Sequence, residues 1–188
     1  MILKHLYEQT LLIQGDGLRI RPITDRDTEK LLEIYGDESI YRYRPGMPRK
    51  TEALIRKLLQ RFEKEMSEKT AVYLGVYEET EPQMLVGTVE IFNIEPRIEK
   101  VEIGYTIAPK AQGKGYGTRA VGALTKYLFE SCEANRVTAT VMVENQPSQK
   151  LLLRNGFTQE GIFREGAFWQ GIGYVDIVCF ARLKKDER

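Results

Sequence analysis

Gln112-Gly-Lys-Gly-Tyr-Gly-Thr118 is the stretch on which the fold turns. Ahead of it, Lys100–Ala108 (KVEIGYTIA) reads as a strand. Behind it, a helix is predicted from Gly115 toward Cys132, with Ala120/Val121, Leu124 and Tyr127/Leu128 on its buried stripe. Glycine takes positive φ freely and leaves room for a ligand to approach the main chain, and an idle glycine costs roughly 0.5–1 kcal/mol relative to alanine. Successive N–H groups from Gly113 to Gly117 can converge on one anion beside the positive end of the helix. That is chemistry for a phosphate or a pyrophosphate; a plain glycine-rich turn without a ligand is the weaker reading.

The spacing narrows the ligand. A P-loop needs GxxxxGK[ST], which does not occur. The dinucleotide fingerprint GxGxxG needs a glycine where Thr118 stands, and it belongs early in a βαβ unit. This turn comes after four predicted strands. Nucleotide hydrolysis and dinucleotide redox are both disfavoured.

Outward from the turn, Leu18–Ile23 alternates like a half-buried strand, and Thr24 or Asp25 caps a helix carrying Leu31, Leu32, Ile34 and Tyr35. Tyr41–Pro48 is a loop, and Thr51 opens a second helix with Ala53/Leu54, Leu58 and Phe62 at helical spacing. Strands are predicted at about 70–78, 84–93, 137–143, 158–164 and 174–182, the last two flanking the turn Gln170–Gly173. A short helix over Pro147–Asn155 closes on Gly156. The order β-αα-βββ-α-β-α-ββ predicts one α/β (α+β) domain over residues 1–188, with 1–17 as an N-terminal arm.

Composition agrees. Hydrophobic residues at 42% and charged residues at 29% are ordinary globular values. Lys+Arg 28 against Asp+Glu 27 leaves no global field to favour nucleic acid or a membrane surface. Cys132 and Cys179 form neither a CxxC nor a disulfide framework and suit a reducing, cytoplasmic setting. The start MILKHLYEQTLLIQ is broken by His5, Glu8 and Gln9 and has no small-residue cleavage site, so no signal peptide is expected. The single histidine, His5, starves metal sites and histidine-based triads, leaving carboxylates, hydroxyls, main-chain dipoles or a cofactor for any chemistry.

Gln112-x-x-Gly115-x-Gly117 resembles the acetyl-CoA signature Q/R-x-x-G-x-G/A of the GNAT superfamily of N-acetyltransferases. Asn145-x-x-Ser148-x-x-Leu151-x-x-Arg154-x-Gly156-Phe157 resembles its second CoA motif, and Phe168–Asp176 is similar to the RimJ/RimL branch, which acetylates protein N-terminal amines. The resemblance covers most of the chain. It implies a mixed, mostly antiparallel sheet of six to seven strands flanked by about four helices. It also implies acetyl-CoA as co-substrate without a metal, and a possible homodimer. The implied CoA contacts are Tyr105, Thr106 and Ile107 on the strand, Gln112, Gly113, Lys114, Gly115, Tyr116, Gly117 and Thr118 in the turn, and Asn145 and Ser148 beyond it.

Acetyl transfer needs a neutral amine, a grip on the carbonyl and a proton for the leaving sulfur. An α-amine, pKa about 8, is roughly one-tenth neutral at pH 7, whereas lysine, pKa about 10.4, is neutral about once in two thousand. The resemblance makes Glu102 the base candidate, with Glu90 second; a solvent-facing strand carboxylate is the alternative for Glu102. The phenol that the superfamily often uses as acid would fall at position 152, which is Leu152, so the resemblance shifts the thiolate partner to Ser148. Helix capping is the alternative for Ser148, and ending the strand is the alternative for Asn145. Cys132 and Cys179 lack a paired histidine, favouring direct transfer over an acyl-enzyme.

On the acceptor side the resemblance points to Tyr41–Pro48 and Phe163–Tyr174. Tyr41, Tyr43, Phe168, Trp169 and Tyr174 are candidates for the aromatic wall of the acceptor cleft, but read first as core or interface aromatics. Arg42, Arg44 and Arg49 read first as a solvated basic loop. The expected acceptor is the N-terminal amine of a protein, of the ribosomal-protein type, with a small amine (polyamine, amino sugar or amino acid) or a non-catalytic CoA sensor as rivals.

Overall fold

The computed structural model of the protein describes residues 3–8 and 10–187; Met1, Ile2, Gln9 and Arg188 lie outside the described residues. An eight-stranded sheet runs in the order β1-β2-β3-β4-β5-β6-β8-β7. The strands are β1 (Ile13–Gly15), β2 (Leu18–Pro22), β3 (Val72–Glu78), β4 (Leu85–Glu95), β5 (Lys100–Ile107), β6 (Arg136–Met142), β7 (Thr158–Trp169) and β8 (Gly173–Leu183). Four α-helices flank it: α1 (Thr28–Tyr35), α2 (Glu52–Ser67), α3 (Tyr116–Glu130) and α4 (Gln146–Arg154).

The sheet holds eight strands, one above the upper end of the six to seven expected. The extra strand comes from the predicted arm. Asp16 (φ 52°) and Gly17 (φ 73°) take the two positive values that a type I′ hairpin requires. They fold Ile13–Gly15 onto Leu18–Ile20. Leu6, Leu11 and Ile13 are buried with the main core, so this part of the arm is integral to the domain.

Strand alternation sorts the side chains into two layers. Val72, Leu74 and Val76 of β3, Val89 and Ile91 of β4, and Val101 and Ile103 of β5 pack with Ala120, Val121, Leu124 and Leu128 of α3. Ala71, Tyr73 and Tyr77 face the opposite way, onto α1 and α2. On α2 the buried stripe is Ile55, Leu58, Leu59 and Phe62, whereas Leu54, expected on it, is 40% exposed. The first helix starts later than predicted, since Thr24 precedes a 3-10 turn over Asp25–Asp27 and Asp27 is the N-cap of α1, but two other ends are as the residues predict. Thr51 Oγ1 accepts from Leu54 N–H at 3.3 Å to cap α2, and Gly156 takes φ +75° after α4.

One strand pair sets the site. β5 and β6 run parallel and pair only at Lys100↔Arg136, Val101↔Val137 and Glu102↔Thr138. Beyond Glu102 the two strands are unpaired, while β5 stays bonded to β4 as far as Ile107. A gap opens through the sheet with Glu102 at its vertex.

Candidate active site

The glycine turn lies past the open end of β5. Pro109–Ala111 makes a single 3-10 turn, and Gln112 Nε2 donates to Ile107 O at 3.1 Å, tying the turn to the strand. Gly113 (φ +76°) and Gly115 (φ +80°) take left-handed values, and a Cβ on either would meet nothing within 4 Å. Among the described residues, the main-chain N–H groups of positions 113–118 find no carbonyl acceptor; the first to do so is Arg119, on Gly115 O at 3.1 Å. A run of free donors at the start of a fifteen-residue helix, in open space, fits a pyrophosphate. Gly117 serves packing instead, since a Cβ there would lie 2.7 Å from Leu151 Cδ1. The side chains of Gln112 and Lys114 are exposed, and Tyr116 stacks under Arg119 at 4.6 Å.

The faces of β5 divide the remaining chemistry. Tyr105 and Ile107 point to the α3/α4 side. There the Tyr105 hydroxyl stands 2.6 Å from Ser148 Oγ on the first turn of α4. Burial pushes the Tyr105 phenol up to about 12, against a smaller lowering by the Ser148 bond. Asn145 Oδ1 accepts from Ser148 N–H at 3.3 Å, so Asn145 is the helix cap and the Ser148 hydroxyl is released from that duty. Leu152 is fully buried one turn further on.

Glu102, Gly104 and Thr106 occupy the opposite face, toward α1 and α2. Glu102 is 9% exposed, and its two oxygens accept from Thr140 Oγ1 at 2.8 Å and Asn93 Nδ2 at 2.9 Å. A carboxylate has about four lone-pair positions, so acceptor capacity is left for a proton in transit. The alternative reading of Glu102 as a solvent-facing strand carboxylate is not met.

Glu90, the second candidate, crosses over Gly104. A Cβ there would lie 2.6 Å from Glu90 Oε1. Arg44 Nη1 donates to Glu90 Oε1 at 3.2 Å and to Thr106 Oγ1 at 3.0 Å. Tyr35, whose ring lies 5.1 Å from the guanidinium, hydrogen-bonds Thr88 at 2.8 Å. The solvated reading of the basic loop is therefore wrong for Arg44, whose side chain is 18% exposed and anchors the loop to β4 and β5. Arg49 is part-buried and donates to Tyr41 Oη at 3.4 Å, whereas Arg42 is exposed beside the Tyr43 ring.

Beside Glu90 and Asn93, between the end of α2 and strands β3 and β4, opens a cleft of about 530 Å³. Glu65, Glu68, Thr70, Tyr73 and Phe92 complete its wall. Each of its three carboxylates has a cation beside it: Arg44 on Glu90 at 3.2 Å, Arg61 on Glu65 at 3.5 Å and Lys64 on Glu68 at 3.7 Å. The aromatics expected around the acceptor split into two groups. Trp169 Nε1 donates to Tyr41 O at 3.4 Å, and Tyr43 and Trp169 pack on Met142, Val175 and Ile177, closing the loop against the β7–β8 hairpin. Phe168 and Tyr174 meet edge-to-face at 5.4 Å but stay exposed at the hairpin end.

The thiols are unsuited to attack. Burial pushes Cys132 up to about 11, and burial with Glu102 and Glu160 raises Cys179. Among the described residues no group of three or more His, Cys, Asp or Glu is placed to hold a metal, and no helix is long and apolar enough to cross a membrane.

The acetyltransferase (GNAT) domain family matches residues 17–158. The uncharacterized N-acetyltransferase YoaA of Bacillus subtilis is 26% identical over 163 residues, covering 87% of this chain and 92% of that protein. The [ribosomal protein uS5]-alanine N-acetyltransferase of Escherichia coli is 28% identical over 159 residues, 80% of this chain and 79% of that one. Among solved structures, a GNAT-family acetyltransferase from Bacillus anthracis superposes with a TM-score of 0.81 at 28% identity, covering 93% of this chain and 99% of the other. The spermidine N-acetyltransferase of Vibrio cholerae, solved with CoA and spermine, shares the fold at a TM-score of 0.78 and 23% identity, over 92% and 98% of the two chains.

Proposed function

The chain belongs to the GNAT acetyltransferase family, and from that premise we propose that the amine it acetylates is the N-terminal α-amine of a protein. Its activity is that of an acetyl-CoA-dependent N-acetyltransferase. Acetyl-CoA supplies the acetyl group as a thioester, activated toward an amine. The chain supplies the cradle at Gly113–Thr118, the edge of β5 from Gly104 to Ile107 for the pantetheine arm, and the two groups that handle protons.

The observation that carries this reading is Glu102 at the vertex of the β5–β6 gap, buried, doubly hydrogen-bonded and on the α1/α2 face. In the proposed reaction Glu102 takes the amine proton, directly or through one water, as the new C–N bond forms. As the C–S bond breaks, Ser148 Oγ donates a hydrogen bond to the departing sulfur, and solvent restores any proton the hydroxyl gives up. Base and sulfur partner stand on opposite faces of one strand, so the gap joins the CoA side to the acceptor side. An α-amine asks roughly 3 kcal/mol less of the base than a lysine amine at pH 7. The similarity to the uS5-alanine enzyme supports a protein terminus, with a ribosomal protein as the first substrate to try.

A second reading has an observation of its own. The cleft walled by Glu65, Glu68 and Glu90 offers three carboxylates that a polycation could share with Arg61, Lys64 and Arg44, so a polyamine is the specific rival. A thiol-release assay with N-terminal peptides, spermidine and an amino sugar in parallel separates the two. Peptide turnover with spermidine inert is the expected result; the reverse sinks the protein-terminus reading. If none of these amines releases CoA thiol, the catalytic assignment of Glu102 and Ser148 fails with it.

A further inference from the structure

Ser148 can serve a leaving sulfur only if its single proton points at it. A serine hydroxyl has one O–H and two lone pairs, and it rotates toward the best acceptor nearby. Among the described residues, the one side chain within hydrogen-bond distance of Ser148 Oγ is Tyr105, at 2.6 Å. Only one of the two protons can lie between those oxygens. If Ser148 donates, its proton is spent inside the protein. If Tyr105 donates, the serine proton is free for a third partner. A phenol is far more acidic than an aliphatic alcohol and is the stronger donor, while the serine oxygen is the better acceptor. The phenol's other acceptor, Ser148 O, is at 3.4 Å, beyond good hydrogen-bond length.

We propose that Tyr105 is a positioning residue: its hydroxyl donates to Ser148 Oγ and so turns the serine proton outward, toward the sulfur of CoA. The inference rests on the assignment of Ser148 to sulfur given above. Three placements support it. Asn145 caps α4, so Ser148 is not held by the helix end. Leu152 is apolar and buried on the next turn, so α4 brings no phenol of its own at that position. Tyr105 belongs to the unpaired end of β5, on the face where α4 packs, and therefore reaches Ser148 from across the CoA side of the gap. Burial keeps the phenol protonated throughout the neutral range, as a standing donor requires.

The experiment compares Tyr105→Phe, Ser148→Ala and the double variant by two readouts. The first uses no turnover: affinity for CoA against desulfo-CoA, measured by calorimetry from pH 7 to pH 10. A donor aimed at sulfur favours the thiolate, so the wild type prefers CoA increasingly as pH rises. Each single variant is expected to lose about three- to tenfold of that preference, the worth of one hydrogen bond. Desulfo-CoA affinity stays unchanged. The double variant loses no more than Ser148→Ala alone, because Tyr105 acts through the serine. The second readout is kcat, which falls in the same non-additive pattern while the KM for acetyl-CoA stays within about twofold.

If Tyr105→Phe keeps the full preference while Ser148→Ala loses it, this inference is overturned and the role of Ser148 stands. If Ser148→Ala behaves as wild type, both fall. Losses that multiply in the double variant overturn the inference as well, since they would mean that Tyr105 acts independently. Tyr105→Phe keeps the ring and its packing, and an unchanged desulfo-CoA affinity reports that the fold is intact.

Discussion

On one side of the β5–β6 gap stand main-chain N–H groups; on the other stand carboxylates held by side chains from distant elements. The cradle at 113–118 needs two positive φ values and a helix start, all within a few residues. The acceptor face joins Arg44 from the α1–α2 loop, Tyr35 from α1, Glu90 from β4, Thr106 from β5 and Thr140 from β6. A main-chain site tolerates change in every side chain that does not alter φ or fill its space. A side-chain site depends on each partner being in place, so the same number of substitutions disturbs it more.

The largest expected effect tests the acceptor face. Glu102→Gln keeps the shape but removes the base, and kcat should fall about a hundredfold or more, the usual worth of a positioned general base. The dissociation constant of acetyl-CoA should stay within about twofold. Full activity in this variant would break the division, leaving the acceptor face without its proposed base.

Two glycines of one motif sharpen the cradle side. At Gly115 a Cβ meets nothing, but the left-handed backbone costs an alanine about 1–2 kcal/mol. The new methyl also projects into the space left for the ligand, so Gly115→Ala should raise the KM for acetyl-CoA about tenfold with a modest drop in Tm. Gly117 has no such strain; its Cβ would lie 2.7 Å from Leu151 Cδ1 and 3.3 Å from Ile107 Cγ1. Gly117→Ala should destabilise by about 1–3 kcal/mol through overpacking between α3 and α4, and move the KM less than Gly115→Ala does. Thermal melts and acetyl-CoA titrations of the two variants separate the roles.

A smaller effect is expected at Arg44→Met, which removes the partner of Glu90 and Thr106. The pair is only part-buried, so the loss should be about 1–2 kcal/mol, with the acceptor KM raised several-fold and the acetyl-CoA KM untouched. Adding Glu90→Gln should restore part of the stability, because no carboxylate is then left unpaired. An acetyl-CoA KM that rises with the acceptor KM would show the two sides coupled through Thr106.

Local chemistry was legible in the sequence, and long-range pairing was not. The glycine turn, the Thr51 cap, the Gly156 stop and the strand before the CoA turn are all written in residues a few positions apart, and the structure has each of them. Asp16-Gly17 is a local signal of the same kind, a hairpin turn, and it accounts for the eighth strand. On α2 the predicted Leu58 and Phe62 lie on the buried stripe, but its first turn is Ile55 rather than Ala53/Leu54, because either choice gives an acceptable helical period until the sheet selects a face. Arg44 could not be told from its loop neighbours Arg42 and Arg49, since its partners lie 46 and 62 residues away. Tyr105 and Ser148 stood as CoA contacts, but their mutual contact spans 43 residues and exists only because β5 parts from β6 beneath α4.

The smallest effect concerns stability in alkali and isolates one phenol on the cradle side. Burial raises the Tyr105 phenol to about 12 in the fold, from about 10 in an unfolded chain. A native state that holds a proton more tightly than the unfolded state has its full advantage below the unfolded pKa and loses it as pH climbs through the folded one. Stability should therefore be level with respect to this group up to about pH 9 and decline between about 10 and 12. The share belonging to Tyr105 is up to about 3 kcal/mol. Tyr35 and Tyr73, on the acceptor side, are raised by burial in the same direction, so the wild type alone cannot apportion the decline. The difference between wild type and Tyr105→Phe can. Denaturant melts of both proteins at pH 8 and pH 11 should show the variant losing less stability between the two. Equal losses would mean that the phenol of Tyr105 meets water more freely than its contact with Ser148 implies, and that the cradle side is more open than the acceptor side.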